Sequence, residues 1–241
     1  MSDYFFSRPQ GKFWTVTLPI WGCLRPCELA GSVCYAEKVA ARKCGELEAV
    51  ESVRMFHARN VVNEAAMQRL IRARKPRIVF NSMTEPAGWD NYAKQALGKL
   101  VESAPQHQFL VCTKRPAEAY KGITKCPVNV HLGFTFTNQP EFDERLAQMP
   151  DVPNLWAIGE PLRAPVDVSA GLKRLKWLVV GLETGRRIPV EGWWYDALNS
   201  IRYQCQMANV PLWEKAVIFQ PDYQNPWRQM PPVLSAIWKA R

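Results

Sequence analysis

Short apolar segments alternate with longer amphipathic segments along most of this chain. The apolar segments are rich in β-branched and aromatic residues, as buried strands are, and six are found: Phe13 to Trp21, Arg77 to Asn81, Gln108 to Cys112, Val128 to Phe136, Leu155 to Ile158 and Trp177 to Val180. Helical periodicity marks Ala36 to Arg74, Asn91 to Ser103, Ala117 to Tyr120, Glu141 to Gln148, Val168 to Leu172 and Trp194 to Ala208. Within the first of these helical segments, the residues from Ser52 to His57 could instead form a further short strand. The alternation predicts an α/β fold, a partial TIM-like barrel of (β/α)6 type in which crossover helices join parallel strands.

No linker, repeat or low-complexity tract divides the sequence. We therefore expect one domain over residues 1–241, with a barrel core at about 13–217 and a C-terminal extension at about 218–241. The first residues lack the charged and apolar regions of a signal peptide, and no stretch is long enough to span a bilayer. The expected location is the cytoplasm, with no membrane partner.

The charge balance favours an anionic partner. Lys and Arg number 31 against 22 Asp and Glu, a formal charge of +9. Such an excess is typical of proteins that bind nucleic acid, nucleotides or phosphate, although many basic proteins bind none of them.

Polar side chains concentrate just after the predicted strands. In a parallel barrel these positions share the carboxyl-end rim, where barrel enzymes place their catalytic groups. Ordinary loop polarity and helix capping are the alternative interpretation. The candidates in chain order are Asn81, Ser82, Thr84, Glu85, Lys114, Arg115, Thr135, Thr137, Glu160 and Glu183.

Three of the seven cysteines cluster after the first predicted strand. Three residues separate Cys23 from Cys27, and six separate Cys27 from Cys34. Three thiolates can hold a four-iron cluster and leave one iron open. Two alternatives stay open: a structural zinc site with a fourth ligand from Cys44, His57 or farther away, and unmetallated thiols. The other cysteines are isolated, and we interpret them as core or incidental residues: Cys44, Cys112, Cys126 and Cys205.

With these motifs, the chain resembles the phage-associated three-cysteine-motif branch of the radical S-adenosylmethionine enzymes. The resemblance covers most of the chain and depends on short ordered matches: Trp21-Gly22-Cys23, Cys34-Tyr35-Ala36-Glu37, Asn81-Ser82-Met83, Thr113-Lys114-Arg115-Pro116, Glu160-Pro161-Leu162 with Pro165-Val166-Asp167, Val180-Gly181 with Glu183 and Gly185, Gln204-Cys205-Gln206 and Val210-Pro211. Two features depart from the pattern. Such loops usually have two residues between the last two cysteines, which would place the middle one at Gly31, and the segment Leu212 to Val217 lacks a Gln-Trp-Gly ending.

The resemblance implies a set of cofactors and ligands. Cys23, Cys27 and Cys34 would bind a 4Fe-4S cluster, and S-adenosyl-L-methionine would chelate its open iron. Cleavage then yields a 5'-deoxyadenosyl radical, with the electron supplied by a donor. Residues Asn81 to Glu85 would hold the cofactor's amino group, and Lys114 and Arg115 its carboxylate or an anionic substrate. Other contacts to the ribose, the adenine edge or the substrate would come from Thr135, Thr137, Glu160 and Glu183.

The resemblance also suggests a substrate. Phage relatives are associated with thymidine hypermodification in viral DNA, so the expected reaction is isomerisation of an amino-acid-modified thymidine. Arg186 and Arg187 follow a predicted strand and are candidates for substrate phosphates. The alternatives are a radical lyase that repairs or cleaves a nucleic-acid lesion and a non-catalytic, zinc-stabilised nucleic-acid-binding module.

Two other groups of residues are left out of the predicted site. The three histidines have no metal-binding spacing with one another, and His131 is expected to be a hydrogen-bonded core residue. The aromatic residues from Trp193 and Trp194 to Trp227 and Trp238 are expected to pack against the open side of the partial barrel, with base stacking as the alternative.

Overall fold

The computed structural model describes residues 2–6, 13–24, 34–43, 49–181, 192–215 and 227–239. Its strands are β1 (Ser2–Phe6), β2 (Phe13–Thr17), β3 (Ile20–Trp21), β4 (Val61–Val62), β5 (Ile78–Phe80), β6 (Gln108–Thr113), β7 (Val130–Phe136), β8 (Leu155–Gly159), β9 (Leu175–Val180) and β10 (Leu212–Glu214). Its helices are α1 (Tyr35–Lys43), α2 (Ala49–Ala58), α3 (Glu64–Arg72), α4 (Asn91–Ser103), α5 (Pro116–Ala119), α6 (Gln139–Ala147), α7 (Ser169–Leu172), α8 (Gly192–Ala208) and α9 (Pro232–Lys239).

One curled sheet forms the centre of the fold. Its strand order is β1-β2-β5-β6-β7-β8-β9-β10, and every pair except the antiparallel β1–β2 pair is parallel. The seven parallel strands make a half-barrel. This confirms the predicted α/β class and the parallel strands, and it adds a parallel strand, β10, that the pattern does not predict.

The N-terminal third differs most from the prediction. The run Phe13 to Trp21 is divided at Pro19, which has no N–H to continue a ladder, and β3 pairs with β4 in a separate antiparallel ribbon. In place of the single helix predicted from Ala36 to Arg74, the described residues of that span form three helices and a short strand. The alternative strand between Ser52 and His57 is wrong, because those residues lie in α2.

The two faces of the half-barrel have different partners. The outer face packs against α3, α4, α6, α7 and α8 through buried residues such as Val79, Phe134 and Leu178. The concave face carries a second apolar cluster, and the helix that covers it is α9. The cluster consists of Ile78, Phe80, Leu110, Cys112, Trp156, Ile158, Trp177, Val179, Trp213, Met230 and Leu234.

Aromatic residues fill the concave side. The rings of Trp156 and Trp177 stack with centroids 5.6 Å apart, and Trp238 of α9 meets Trp213 edge-on at 5.9 Å. Trp194 is buried in the outer cluster. Packing at the open side is therefore confirmed for Trp238, whereas Trp194 is a core residue of the outer face.

His131 also lies on the concave side, by alternation with the outward-facing Val130 and Leu132. Its Nε2 is 2.8 Å from Gln108 Oε1, and burial lowers its pKa to about 4, so it is a neutral core histidine as expected. No helix among the described residues is both long and apolar enough to cross a membrane.

We predict that Gly133→Ala destabilises the fold. A Cβ at Gly133 would lie 2.4 Å from Trp156 Nε1, so the stacked indole would have to move, at a cost of about 1–3 kcal/mol in the free energy of unfolding. Gly98→Ala in α4 is the matched control, because nothing lies within 4 Å of its new methyl group. Denaturant unfolding should show the control slightly more stable than the parent, as alanine favours helix. Equal stability of the two variants would contradict the packing argument.

Candidate active site at the carboxyl-end rim

The carboxyl ends of the parallel strands bring most of the predicted site residues to one rim. Residues 81–85 follow β5, Lys114 and Arg115 follow β6, Thr135 lies near the end of β7 and Glu160 follows β8. Glu183, Arg186 and Arg187 lie outside the described residues, as does Cys27.

The segment that leads to the cysteines is fixed to the end of β5. Gly22 N–H donates to the Met83 carbonyl at 3.2 Å, and the Thr84 hydroxyl donates to the Gly22 carbonyl at 2.8 Å. The Thr84 hydroxyl in turn accepts from Trp89 Nε1 at 2.6 Å. Gly22 has φ +106°, and a Cβ there would lie 2.2 Å from the Arg59 carbonyl oxygen, so this position requires glycine.

Two of the three predicted cluster ligands are described. Cys23 follows Gly22, is half-buried and packs against a small cluster that includes Phe56 and Met83. Cys34 is half-buried and directly precedes α1, whose Val39 and Ala40 belong to the same cluster. The structure thus places Cys23 against the apolar cluster that includes Met83, and Cys34 directly before the helix that contributes Val39 and Ala40 to it. Among the described residues no three potential ligands are grouped around a metal position, a search that does not include Cys27.

A histidine connects the two cysteine segments. His57 Nδ1 donates to the Cys23 carbonyl at 2.7 Å, and Nε2 lies 2.6 Å from Glu37 Oε1. Glu37 is in the first turn of α1, three residues after Cys34, and its side chain is 9% exposed. Cys23 N–H also donates to the Phe56 carbonyl at 2.8 Å. We call Glu37, His57 and the Cys23 backbone the histidine clamp.

The histidine clamp bears on the zinc alternative. Both ring nitrogens of His57 face hydrogen-bond acceptors, so neither presents a lone pair to a metal. This counts against His57 as a fourth zinc ligand. Its role in the clamp is not predicted from the sequence, because 34 residues separate His57 from Cys23 and no spacing signal links them.

Asn81 and Glu85 hold the ends of β5 and β6 together. The buried Asn81 amide donates to the Cys112 carbonyl at 2.8 Å and to the Thr84 carbonyl at 3.1 Å, and it accepts from Cys112 N–H at 2.7 Å. The Glu85 carboxylate accepts from the Thr113 hydroxyl, and from the backbone N–H groups of Lys114 at 3.1 Å and Ala87 at 3.2 Å. These bonds give the predicted cofactor loop a fixed shape.

An ion pair lies on the opposite side of the rim. Lys215 Nζ is 2.5 Å from Glu160 Oε2, and the two residues follow β10 and β8. Gly181 lies between them at the end of β9, and a Cβ there would touch Lys215 Cβ at 3.1 Å. Lys215 was not predicted as a site residue, because its three-residue strand gave no periodic signal. The signal that could have found it is a lysine at the end of a short apolar run, Val210 to Trp213.

The other rim residues differ in their surroundings. The Thr135 hydroxyl oxygen is buried and has no hydrogen-bond partner among the described residues. Thr137 is buried, and its backbone N–H donates to Glu141 Oε2 at 2.7 Å, so it belongs to the start of α6. Arg115 pairs with Glu118 at 3.5 Å on the surface.

The remaining described cysteines differ from Cys23 and Cys34. Cys112 and Cys205 are buried core residues, as expected. Burial raises the pKa of the Cys112 thiol well above its usual value, that of Cys205 to about 12 and that of Cys126 to about 11. These thiols stay protonated at neutral pH and are poor metal ligands. Cys44 lies outside the described residues.

Comparison with known proteins identifies a family but no activity. The chain belongs to a family of proteins of unknown function, DUF5131, whose model matches residues 13–222. No curated protein and no solved structure matches the chain significantly.

We predict that His57→Ala loosens the histidine clamp. The change leaves the Glu37 carboxylate without this buried partner, which should lower the free energy of unfolding by about 1–3 kcal/mol. Hydrogen exchange of the Cys23 amide should accelerate more than exchange in β7. Lys38→Ala, an exposed change on α1, is the control and should affect neither measurement. Unchanged exchange at Cys23 in His57→Ala would show that the clamp does not hold this segment.

Proposed function

We propose that this member of the DUF5131 family is a radical S-adenosylmethionine enzyme of the partial-barrel type. The observation that carries the proposal is the attachment of the cysteine segment to the rim through Gly22, Met83 and Thr84. An iron-sulfur cluster held by Cys23, Cys27 and Cys34 would then lie beside the candidate cofactor loop, residues 81–85. When bound, the cluster and S-adenosylmethionine supply a radical that removes hydrogen from an unactivated carbon.

The chemistry of the donors fits such a cluster. Cys23 and Cys34 are half-buried, whereas burial keeps Cys112 and Cys205 protonated. A cluster ligand needs a thiolate and access to the metal. Among the described cysteines, Cys23 follows the Gly22 junction with the candidate cofactor loop, and Cys34 directly precedes α1, which the histidine clamp joins to Cys23. The histidine clamp holds the backbone of one ligand and the helix that follows the other.

The proposed cofactor contacts divide into two groups. Asn81, Thr84 and Glu85 are bonded within the chain, so their proposed contribution is to fix the loop that receives the amino end of S-adenosylmethionine. Lys114 and Thr135 would contact the cofactor or substrate directly, since the Thr135 hydroxyl is buried without a hydrogen-bond partner among the described residues. Ser82 and Glu183 complete the proposed set, together with Glu160, which would contact the cofactor or the substrate.

For the reaction we propose isomerisation of an amino-acid-modified thymidine, in DNA or as a nucleotide. A nitrogen-linked amino acid on the exocyclic methylene would become the carbon-linked isomer. The hydrogen taken from its α-carbon returns to the product, so the reaction involves no net oxidation. The +9 charge supports an anionic substrate, with Arg115, Arg186 and Arg187 as proposed phosphate or carboxylate contacts.

We predict that anaerobically reconstituted protein binds about four irons with acid-labile sulfide, as a three-thiolate cluster requires. Cys23→Ala, Cys27→Ala and Cys34→Ala should each lose the cluster, measured by iron content and the visible absorption band. Cys126→Ala and Cys44→Ala are the controls and should keep it. Zinc in place of iron would contradict the proposal, and loss in Cys44→Ala with retention in Cys27→Ala would change the ligand set.

We predict that the reduced protein converts S-adenosylmethionine to 5'-deoxyadenosine and methionine. Given the nitrogen-linked adduct, it should form the carbon-linked isomer of the same mass, measured by chromatography and mass spectrometry of nucleosides. Cleaved fragments would indicate a lyase. Absence of deoxyadenosine under strong reductant would refute the radical enzyme.

A further inference from the structure

Two ion pairs lie at the last strands of the half-barrel, and they differ in how many of their carboxylate oxygens are hydrogen-bonded. Glu214 is fully buried on β10, and its carboxylate accepts from Arg202 Nε at 2.6 Å, from Arg202 Nη2 at 2.8 Å and from Trp227 N–H at 2.8 Å. Both carboxylate oxygens are bonded, and the pair ties α8 and the segment at Trp227 to β10. This arrangement is structural.

The pair of Glu160 and Lys215 is less complete. Lys215 Nζ contacts Glu160 Oε2, whereas within the described part of the chain Glu160 Oε1 accepts no hydrogen bond. The two side chains are only 17% and 10% exposed. A carboxylate oxygen that is mostly shielded from water and accepts no bond can accept one from a ligand.

Strand alternation directs this pair toward the mouth of the half-barrel. Ile158, Val179 and Trp213 belong to the concave apolar cluster, and Glu160, Gly181 and Lys215 each come two residues later. The pair therefore forms the polar layer directly above the apolar interior. Because Gly181 has no side chain, nothing from β9 covers the two charged groups.

A second polar group lies one layer below the pair. Thr135 is the register partner of Ile158, two residues before Glu160, and its hydroxyl is buried without a bond to any described residue. The mouth thus presents a carboxylate and an ammonium, with a buried hydroxyl below them. A carboxylate next to an ammonium is complementary to an amino-acid group, whose amine can donate to Glu160 and whose carboxylate can pair with Lys215.

We propose that Glu160 and Lys215 form the subsite that binds the amino-carboxylate group of the substrate's amino acid. The inference rests on the proposed function, because it identifies the modified thymidine as the ligand. It adds Lys215 to the site as the residue that selects adducts carrying a free carboxylate. S-adenosylmethionine carries the same chemical group, so the test has an arm for each source.

The test measures equilibrium binding without reductant. The probes are thymidine carrying glycine through nitrogen on its methylene, the same nucleoside carrying methylamine, and S-adenosylmethionine. The parent protein should bind the glycine adduct on the order of tenfold or more tighter than the methylamine adduct, as for a charge-assisted hydrogen bond. Lys215→Met should lose most of that preference, whereas Lys215→Arg should keep much of it.

Lys176→Met is the matched control, since it removes an equal charge from an exposed position on β9, at the amino end of the strand. Lys176→Met should keep the full preference for the glycine adduct over the methylamine adduct, and it should bind S-adenosylmethionine as tightly as the parent does. If Lys215→Met fails to fold, the double variant Glu160→Gln, Lys215→Gln removes both charges and is tested in the same way.

Two outcomes overturn the inference. One is the same preference for the glycine adduct in Lys215→Met as in the parent. The other is weaker binding of S-adenosylmethionine with unchanged binding of the adduct, which assigns the subsite to the cofactor. A failure of the proposed function would look different from a failure of this inference. In that case the protein would produce no deoxyadenosine, but the Lys215-dependent preference for the adduct with a carboxylate would persist.

Discussion

The backbone of Gly22 joins the first part of the chain to the end of β5, and the candidate site depends on this junction. Two hydrogen bonds, to Met83 and from Thr84, fix where the cysteine segment begins. The positive φ of Gly22 and its approach to Arg59 leave no room for a side chain. Since Cys23 follows directly, its distance from the loop after β5 is set by backbone geometry and by the histidine clamp, and hardly by its own side chain.

The rim has two sides with different chemistry. Near β5 and β6, Asn81 and Glu85 direct their polar atoms to backbone groups of neighbouring segments, so the loops there are well defined. Near β8 to β10, Glu160 Oε1 and the Thr135 hydroxyl make no hydrogen bond within the described residues, and Lys215 lies beside the bare Gly181. This difference suits a site in which one side holds a cofactor in a fixed position and the other side binds a substrate. A substrate needs polar groups whose hydrogen bonds are not already made within the protein.

The parts of this architecture that were predictable are those with a local signal. The runs at β5 to β9 are apolar on both faces and β-branched, so their positions and the parallel order followed from the sequence. The strand β10 has three residues and produced no readable period, and the continuous apolar run Phe13 to Trp21 concealed the break at Pro19 that ends β2. His57 and Lys215 reach the rim through contacts over 34 and 55 residues, which no spacing rule detects. The cysteine cluster was visible because its members are close in sequence.

The position of α9 has a consequence for synthesis of the chain. This helix covers the concave face, and its partners Trp156, Trp177 and Trp213 lie far upstream. While the chain is still on the ribosome, that face lacks the cover of α9 until residues 232–239 have emerged from the exit tunnel. Folding of the half-barrel interior therefore cannot finish before α9 has been made, and nascent chains up to that point expose an aromatic surface of the kind that chaperones bind. A stop before Pro232 would make this exposure permanent.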